Sequence, residues 1–388
     1  MRRLMRLLIR LLILGSVLAG AALIFGPRAL DQQLNRVTAP PDAQAVDTDN
    51  AALHNSLLIA DFAAATPLWR RDLAQENTRG HVDLPRLQQG NVTLQVFSVV
   101  TTAPASRWLG RDSDLDGARL MAMLQLWPLP SWYDPYNRAV VQARHLHQAQ
   151  GSGGGGLRIL RTRADLETLL RRKAASGDVT GALLALDGAT ALGGQITNLD
   201  PLYQAGYRMV GLADPLRPTG TSDSLSPFER QLLAEADRRG MVVDLAGLSP
   251  GIIRAALSQT MMPMVLTRGA PQPDCQGHIP LPEDLLQEFA AHGGLIGIPF
   301  AGASAGPTSS ACIVTATSIA QSLRATLDLV GDNHVALASG FDSARPTPFD
   351  AAGLPQLTQA LRNAGLSPDQ IENVMGGNVI RLLRQRLP

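Results

Sequence analysis

Eight short apolar runs, spaced along the chain and separated by helix-like segments, leave this sequence few architectures to choose from. They are LLIADF (57–62), VTLQVFSVV (92–100), ALLALD (182–187), RMVGLA (208–213), MVVDLA (241–246), PMVLT (263–267), LIGIPF (295–300) and HVALAS (334–339). Strand-length runs alternating with helices are the mark of a parallel α/β fold. The helix signals agree. SPFE (226–229) offers an N-cap Ser, a Pro at the first helical position and a Glu at the third. Ser249-Pro250 and Ser367-Pro368 repeat that start, and Gly206, Gly240 and Gly293-Gly294 close helices just before strands. Eight strands with intervening helices predict a (β/α)8 barrel, distorted by an irregular insertion at about 101–156. The GSGGGG run (151–156) reads as loop, and WPLPSWYDPY (127–136) is the densest aromatic patch, a lid, a docking surface or ordinary loop packing.

Ahead of the barrel, MRRLMRLLIRLLILGSVLAGAALIFG carries no charge from Leu11 to Gly26. That is close to the ~20 apolar residues that span a bilayer. Its basic residues lie on the N-terminal side, which predicts a transmembrane or signal-anchor helix with the body outside the cytoplasm, on the periplasmic side in a bacterium. A cleaved signal peptide, processed near Ala19 and Ala21, is the competing reading. The expected organisation is an anchor at 1–30, a polar tether at 31–54 and the barrel at 55–388. Arg2, Arg3, Arg6, Arg10 and Arg28 belong to the 34 basic residues; without them 29 remain against 33 acidic ones, so the body carries about −4. Nucleic acid is thereby excluded as a partner, since phosphate binding needs a basic surface.

In such barrels the chemistry stands at the C-terminal ends of the strands. Those ends offer Ala63 and Ala65, Asp187 and Thr190, Ala213 and Asp214, Gly247, Thr267 and Arg268, and Gly340 and Asp342. No histidine is among them. His145 and His147 form an H-x-H pair, but on a helix two residues apart point to nearly opposite faces. The hydroxyls of Thr190, Thr267 and Ser339 lack a histidine base.

The residues RGHVDLPRL (79–87), NLDPLYQAGYRMVGLA (198–213), LSPFERQLLAEADRRGMVVDLA (225–246), GGLIGIPF (293–300), TPFDAAGLPQLTQAL (347–361) and VMGGNVIRLL (374–383) carry a resemblance. Over about 55–386 the chain resembles the membrane dipeptidase (renal dipeptidase-like) family, zinc hydrolases of the amidohydrolase superfamily with a distorted TIM barrel. The resemblance also sets the family's metal machinery against unexpected residues. Its H-x-D pair after the first strand falls on Ala63 and Ala65, and its bridging Glu on Asp187 in DGATAL. Its two later histidines fall on Gly247 in DLAGLSP and Arg268 in VLTRG, and its Asp of the last strand on Gly340 in SGFDSA. A less critical family histidine falls on Asp214, and the carboxylate-binding Arg has no equivalent in GHIPLPED (277–284).

Alanine and glycine donate nothing to a metal, and an arginine adds charge where two cations would sit. The expectation is therefore a divergent member lacking the zinc ligands: a membrane-anchored pseudoenzyme with no metal cofactor and no catalytic residues. Its role would be binding or scaffolding in the cell envelope, with a small peptide-like ligand, a protein partner or a homo- or hetero-oligomer. The alternative is a dipeptide-cleaving metallohydrolase with a replacement site. Asp187, Asp214, Arg268 and Asp342 form the candidate residual pocket, in which Arg268 stands in for lost zinc charge against Asp187, or the three carboxylates hold a harder cation. Cys275 and Cys312 stand where the family often places cysteines, and their expected role is a disulfide stapling two rim loops.

Overall fold

All eight apolar runs become parallel strands of one closed barrel in the computed structural model, which describes residues 2–38, 45–106, 115–214, 223–269, 280–300 and 314–388. In chain order the strands are β1 (Ile59–Ala64), β2 (Val92–Val99), β3 (Leu157–Ile159), β4 (Thr180–Leu186), β5 (Tyr207–Gly211), β6 (Val242–Asp244), β7 (Val265–Leu266), β8 (Leu295–Ile298) and β9 (Val335–Leu337). β2 pairs directly with β4 from Leu94↔Gly181 to Val99↔Leu186, and β1 closes the ring against β9 at Asp61↔Leu337. The addition is β3. It flanks the start of β4 at Leu157↔Thr180, below the point where β5 takes over at Leu184↔Tyr207.

The helices are α1 (Arg2–Leu34), α2 (Thr48–Ser56), α3 (Leu84–Gln89), α4 (Gly117–Leu124), α5 (Pro135–Ser152), α6 (Arg163–Ser176), α7 (Leu199–Ala205), α8 (Pro227–Arg238), α9 (Pro250–Leu257), α10 (Glu283–Ala291), α11 (Ala316–Val330), α12 (Leu354–Asn363), α13 (Pro368–Glu372) and α14 (Asn378–Arg386). The start signals act as the sequence predicts. The Ser226 hydroxyl accepts from the Glu229 amide while the Glu229 carboxylate accepts from the Ser226 amide, which satisfies two otherwise orphaned donors of α8. Apolar side chains such as Ala60, Phe62, Leu94, Val96, Leu183, Ala185, Val242 and Ala338 form one buried cluster, and a larger cluster joins the strands to the helices. The VMGG segment runs tightly beneath β1: a methyl group on Gly376 would stand 1.9 Å from the Leu58 carbonyl oxygen, so only glycine fits there.

The N-terminal segment departs from the expected organisation. α1 continues past residue 30, and Asp31 and Asn35 are buried against the barrel. Beyond it Thr38 donates its amide to the Thr347 carbonyl, and Asn35 Oδ1 accepts from the Ala344 amide. The stretch expected as a tether thus carries structure at both ends, since α2 begins at Thr48 after an Asp47 N-cap. Among the described residues no helix is long and apolar enough to cross a membrane. Several α1 side chains, including those of 16–19 and 21–24, lie outside the description. Met5, Ile9, Leu12, Ile13, Leu14 and Phe25 of α1 are exposed.

Much of the insertion is helical. Ala118, Met121 and Ala122 of α4, Trp127 and Val141 form a cluster with Leu68, Trp69, Val100 and Ala103, onto which Leu30 and Leu34 of α1 pack. The start of the GSGGGG run belongs to α5, which ends at Ser152, and the remainder turns into β3. Cys275 and Cys312 lie outside the described residues.

Candidate functional site

The C-terminal ends of the strands surround a cavity of about 90 Å³, room for several waters or a small ligand. Ala63, Ala64 and Ala65 line it from β1, Ser98 and Val100 from β2, Asp187 from the end of β4, Asp244 from β6, Thr267 and Arg268 from β7, and Gly340 from β9. Ser343 and Arg345 complete one wall. Gly247 borders the same space, because a methyl group placed on it would lie 3.5 Å from Arg268 Nη2. Five of the six positions matched to the family's metal machinery therefore line one cavity, and the sixth abuts it.

Arg268 and Asp187 face each other across this mouth. Nη1 of the guanidinium is 3.9 Å from Oδ1 of the carboxylate, with both side chains about a third exposed or less. The pairing is loose, at the outer limit of a direct ion pair, and leaves either group free to take a ligand.

Asp244 is the cavity carboxylate that sequence reasoning passed over. Its Oδ1 accepts from the Ala246 amide at 2.9 Å and the Thr267 amide at 3.1 Å, and its Oδ2 from the Thr267 hydroxyl at 2.5 Å. Burial raises its pKa above the usual carboxylate value, opposed by the Arg268 charge and these hydrogen bonds. The available signal was its position as the last residue of β6, directly across a strand pairing from Val265.

The other carboxylates expected in the pocket go elsewhere. Asp342 does not line the cavity. It adopts a left-handed φ of 60° and turns inward, where Oδ2 accepts from Thr66 Oγ1 at 2.7 Å and Oδ1 from the His81 amide at 2.8 Å. Arg71 Nη2 stands 2.8 Å from the same Oδ1, and Arg71 Nε stands 3.2 Å from Asp31 Oδ2. These contacts are charge pairs rather than aligned hydrogen bonds. Burial pushes the Asp342 carboxyl up, but Arg71, His81 and the hydrogen bonds outweigh it and hold the group below its ordinary value. Asp214 is half-buried after β5 and is not part of the cavity lining.

The hydroxyl candidates are likewise committed. Thr190 bonds Thr101 at 3.1 Å and Thr102 at 2.9 Å, while buried Ser339 donates to Asp61 Oδ2 at 2.6 Å. The described histidines serve structure. His145 bonds the Pro67 carbonyl at 3.1 Å and His147 the Ala205 carbonyl at 2.8 Å, on opposite sides of α5 as their spacing implied.

Residues of this composition do not fit a pair of divalent zinc ions. Four of the six matched positions have no donor atom, the fifth is a cation, and the sixth, Asp187, faces that cation. Asp244 has both oxygens engaged by Thr267 and Ala246. Among the described residues no three His, Cys, Asp or Glu side chains are grouped so that they could hold a metal ion.

Comparison with known proteins matches residues 47–387 to membrane dipeptidase (peptidase family M19). Similar sequences include dipeptidase aclJ of Aspergillus oryzae, 28% identical over 219 residues, covering 52% of this chain and 50% of that protein. Human dipeptidase 3 is 22% identical over 54% of this chain and 46% of its own length. The chain thus spans about half the length of these relatives. Dipeptidase tcpJ of Claviceps purpurea is 25% identical over 79% of this chain and 69% of its own. Among solved structures, a Rhodobacter sphaeroides metallopeptidase liganded with a phosphinate mimic of the dipeptide L-Ala-D-Ala superposes with a TM-score of 0.68 at 22% identity, over 86% of this chain and 99% of that one. The probable dipeptidase PvdM of Pseudomonas aeruginosa gives 0.68 at 16% identity, over 87% and 98%. At these identities the structures speak for the fold.

Proposed function

The chain belongs to the membrane dipeptidase family, peptidase family M19, and we propose that within it this protein is a non-catalytic binding module. The barrel mouth serves as a receptor for a small peptide-like ligand, and α1 attaches it to a membrane with the barrel outside the cytoplasm. The observation that carries the reading is the donor set. Where a metallohydrolase needs imidazoles and carboxylates around an open metal position, this mouth has Ala63, Ala65, Gly247, Gly340 and the Arg268–Asp187 pair. The pair suits a zwitterion: the guanidinium receives a carboxylate, Asp187 an ammonium group, and the alanines the apolar part between them. Fold alone does not decide function, so the assignment rests on these side chains. Exposed apolar side chains on α1, together with an N-terminal segment free of acidic residues before Asp31, support the membrane attachment.

Elemental analysis of the purified chain, with hydrolysis of a dipeptide panel in added Zn²⁺, tests this directly. Metal below about a tenth of an equivalent and no turnover is the expected result. Stoichiometric metal with hydrolysis would overturn it and establish a replacement site.

A further inference from the structure

The aromatic WPLPSWYDPY patch turns Trp127, Trp132 and Tyr136 inward and leaves an apolar surface outside. Its Trp127 is buried, yet the residues around it are turned outward: Met123 is 36% exposed, Leu126 57%, Leu129 60% and Tyr133 67%. Single exposed apolar residues need no explanation, but four within eleven positions form a patch. They share one side of the insertion. Arg119 and Met123 are one turn apart on α4, opposite the buried Met121, and the Arg119 guanidinium lies 5.3 Å above the Tyr133 ring. Leu126 holds a left-handed φ of 54°, a conformation that β- and γ-branched side chains avoid, so backbone strain is accepted where a leucine is presented to solvent.

We infer that this surface, Met123 to Tyr133 with Arg119, is a second contact with a lipid bilayer beside α1. The inference rests on the reading of α1 as the membrane attachment. Three observations select a bilayer as the occupant. α4 packs against the C-terminal part of α1 through Leu30 and Leu34, little more than one turn from the exposed Phe25, so a surface that receives this end of α1 reaches the patch. Of the charged residues from Leu115 to Asp134, Asp116 is paired with Arg138 at 2.7 Å and Asp134 caps α5 through Tyr136 and Asn137, which leaves Arg119 as the cation offered to anionic headgroups. The outward-facing Leu126, Leu129, Met123, Tyr133 and Arg119 combine apolar side chains with an aromatic ring and a cation, as segments seated at the headgroup level do. Leu68, Val100 and Ala103 belong both to the cluster beneath the patch and to the cavity lining, so a bilayer held here would lie alongside the barrel mouth.

The test uses the full chain in vesicles of phosphatidylcholine and phosphatidylglycerol, with the photo-crosslinker benzoylphenylalanine placed in turn at Leu129, Tyr133, Phe25 and Met261. Met261 is an exposed control that precedes β7 and so lies at the far end of the barrel. Lipid adducts at Leu129 and Tyr133 several-fold above Met261 are expected. Adducts at Phe25 but not at Leu129 or Tyr133 overturn the inference and leave the α1 attachment standing. Adducts at Leu129 and Tyr133 without any at Phe25 support the patch and remove the attachment reading; adducts at none of the three overturn both. Adducts to protein in place of lipid also overturn it. The variant Leu126→Asn, which suits the left-handed backbone, is expected to raise thermal stability while lowering the lipid adducts at Leu129. An unchanged adduct yield would count against Leu126 as part of the surface.

Discussion

Arg268 and Asp187 meet at 3.9 Å where the strands of β7 and β4 end, and their half-open contact is the chemical centre of the barrel mouth. A guanidinium and a carboxylate held this loosely add little to folding. Asp187→Asn is expected to change unfolding free energy by less than about 1 kcal/mol in urea titrations, whereas Arg268→Ala also removes the charge that offsets the burial of Asp244 and should cost more. Arg268→Ala should abolish binding of a carboxylate-bearing ligand, whereas Asp187→Asn should weaken binding only of ligands that also carry an ammonium. A larger loss of stability in Asp187→Asn would mean that the pair is structural.

The glycines at the mouth have a different energetics. Gly247 holds φ at 85° and Gly340 at 67°. The nearest atoms to an added methyl group on Gly247 are 3.5 Å away, so there is space but the backbone is strained. Gly247→Ala is expected to cost about 1–2 kcal/mol, and Gly247→Asn clearly less, because asparagine tolerates left-handed geometry. Equal losses for the two would show that space rather than backbone decides. The consequence for engineering is that histidine or aspartate returned to Gly247 and Gly340 would meet a left-handed backbone that these side chains tolerate better than alanine does.

Arg71 is expected to be among the most sensitive positions in the chain. Its side chain is fully buried between Asp31 and Asp342. Arg71→Met strands the buried Asp342 and leaves Asp31 with Arg79 alone, and should cost about 3–5 kcal/mol. Adding Asp31→Asn and Asp342→Asn to that variant should recover much of the loss, since no buried charge is then left alone. Thermal unfolding of the single and triple variants measures the difference, and equal instability would rule out the electrostatic account.

Part of the acid sensitivity should trace to His54, beside His81 and His145, whose pKa values burial also lowers. Burial between α2 and α12 lowers its pKa from 6.5 to about 4, against a hydrogen bond to the Gly90 carbonyl that favours the proton. The unfolded chain therefore binds a proton between those values that the folded chain refuses. Stability is full above pH 6.5 and falls as the pH drops toward 4, by about 3 kcal/mol for this group. Asp61 and Asp244, whose pKa values burial raises, act in the opposite sense at the acidic end. Subtracting the pH profile of His54→Asn from that of the parent isolates the histidine, and a difference that is flat between pH 4 and 6.5 would refute the assignment.

How far the sequence announced all this depends on the kind of signal. The barrel strands were legible because each is an apolar run between helix caps, and Ser226, Ser249 and Ser367 marked three helix starts by short-range chemistry alone. β3 was not, being three residues directly after a glycine run, with an exposed Arg158 at its centre. Gathering Ala63, Ala65, Asp187, Arg268 and Gly340 around one cavity needed only the rule that strand ends converge. Direction within a loop was harder. Asp342 sits one turn from the mouth, and its left-handed φ, which sends it to Arg71 and not to the cavity, leaves no mark in FDSARP. Asp244 was overlooked because it closes its strand rather than following it.

The triad of Asp31, Arg71 and Asp342 joins the helix α1 to the loop that carries Gly340, Ser343 and Arg345 along the cavity wall. A load on a string can spin; a load keyed to its mast cannot. With no swivel between α1 and the wall, the direction of that helix fixes the direction in which the cavity opens. Any molecule reaching the mouth must then arrive along a heading set by the first thirty-five residues.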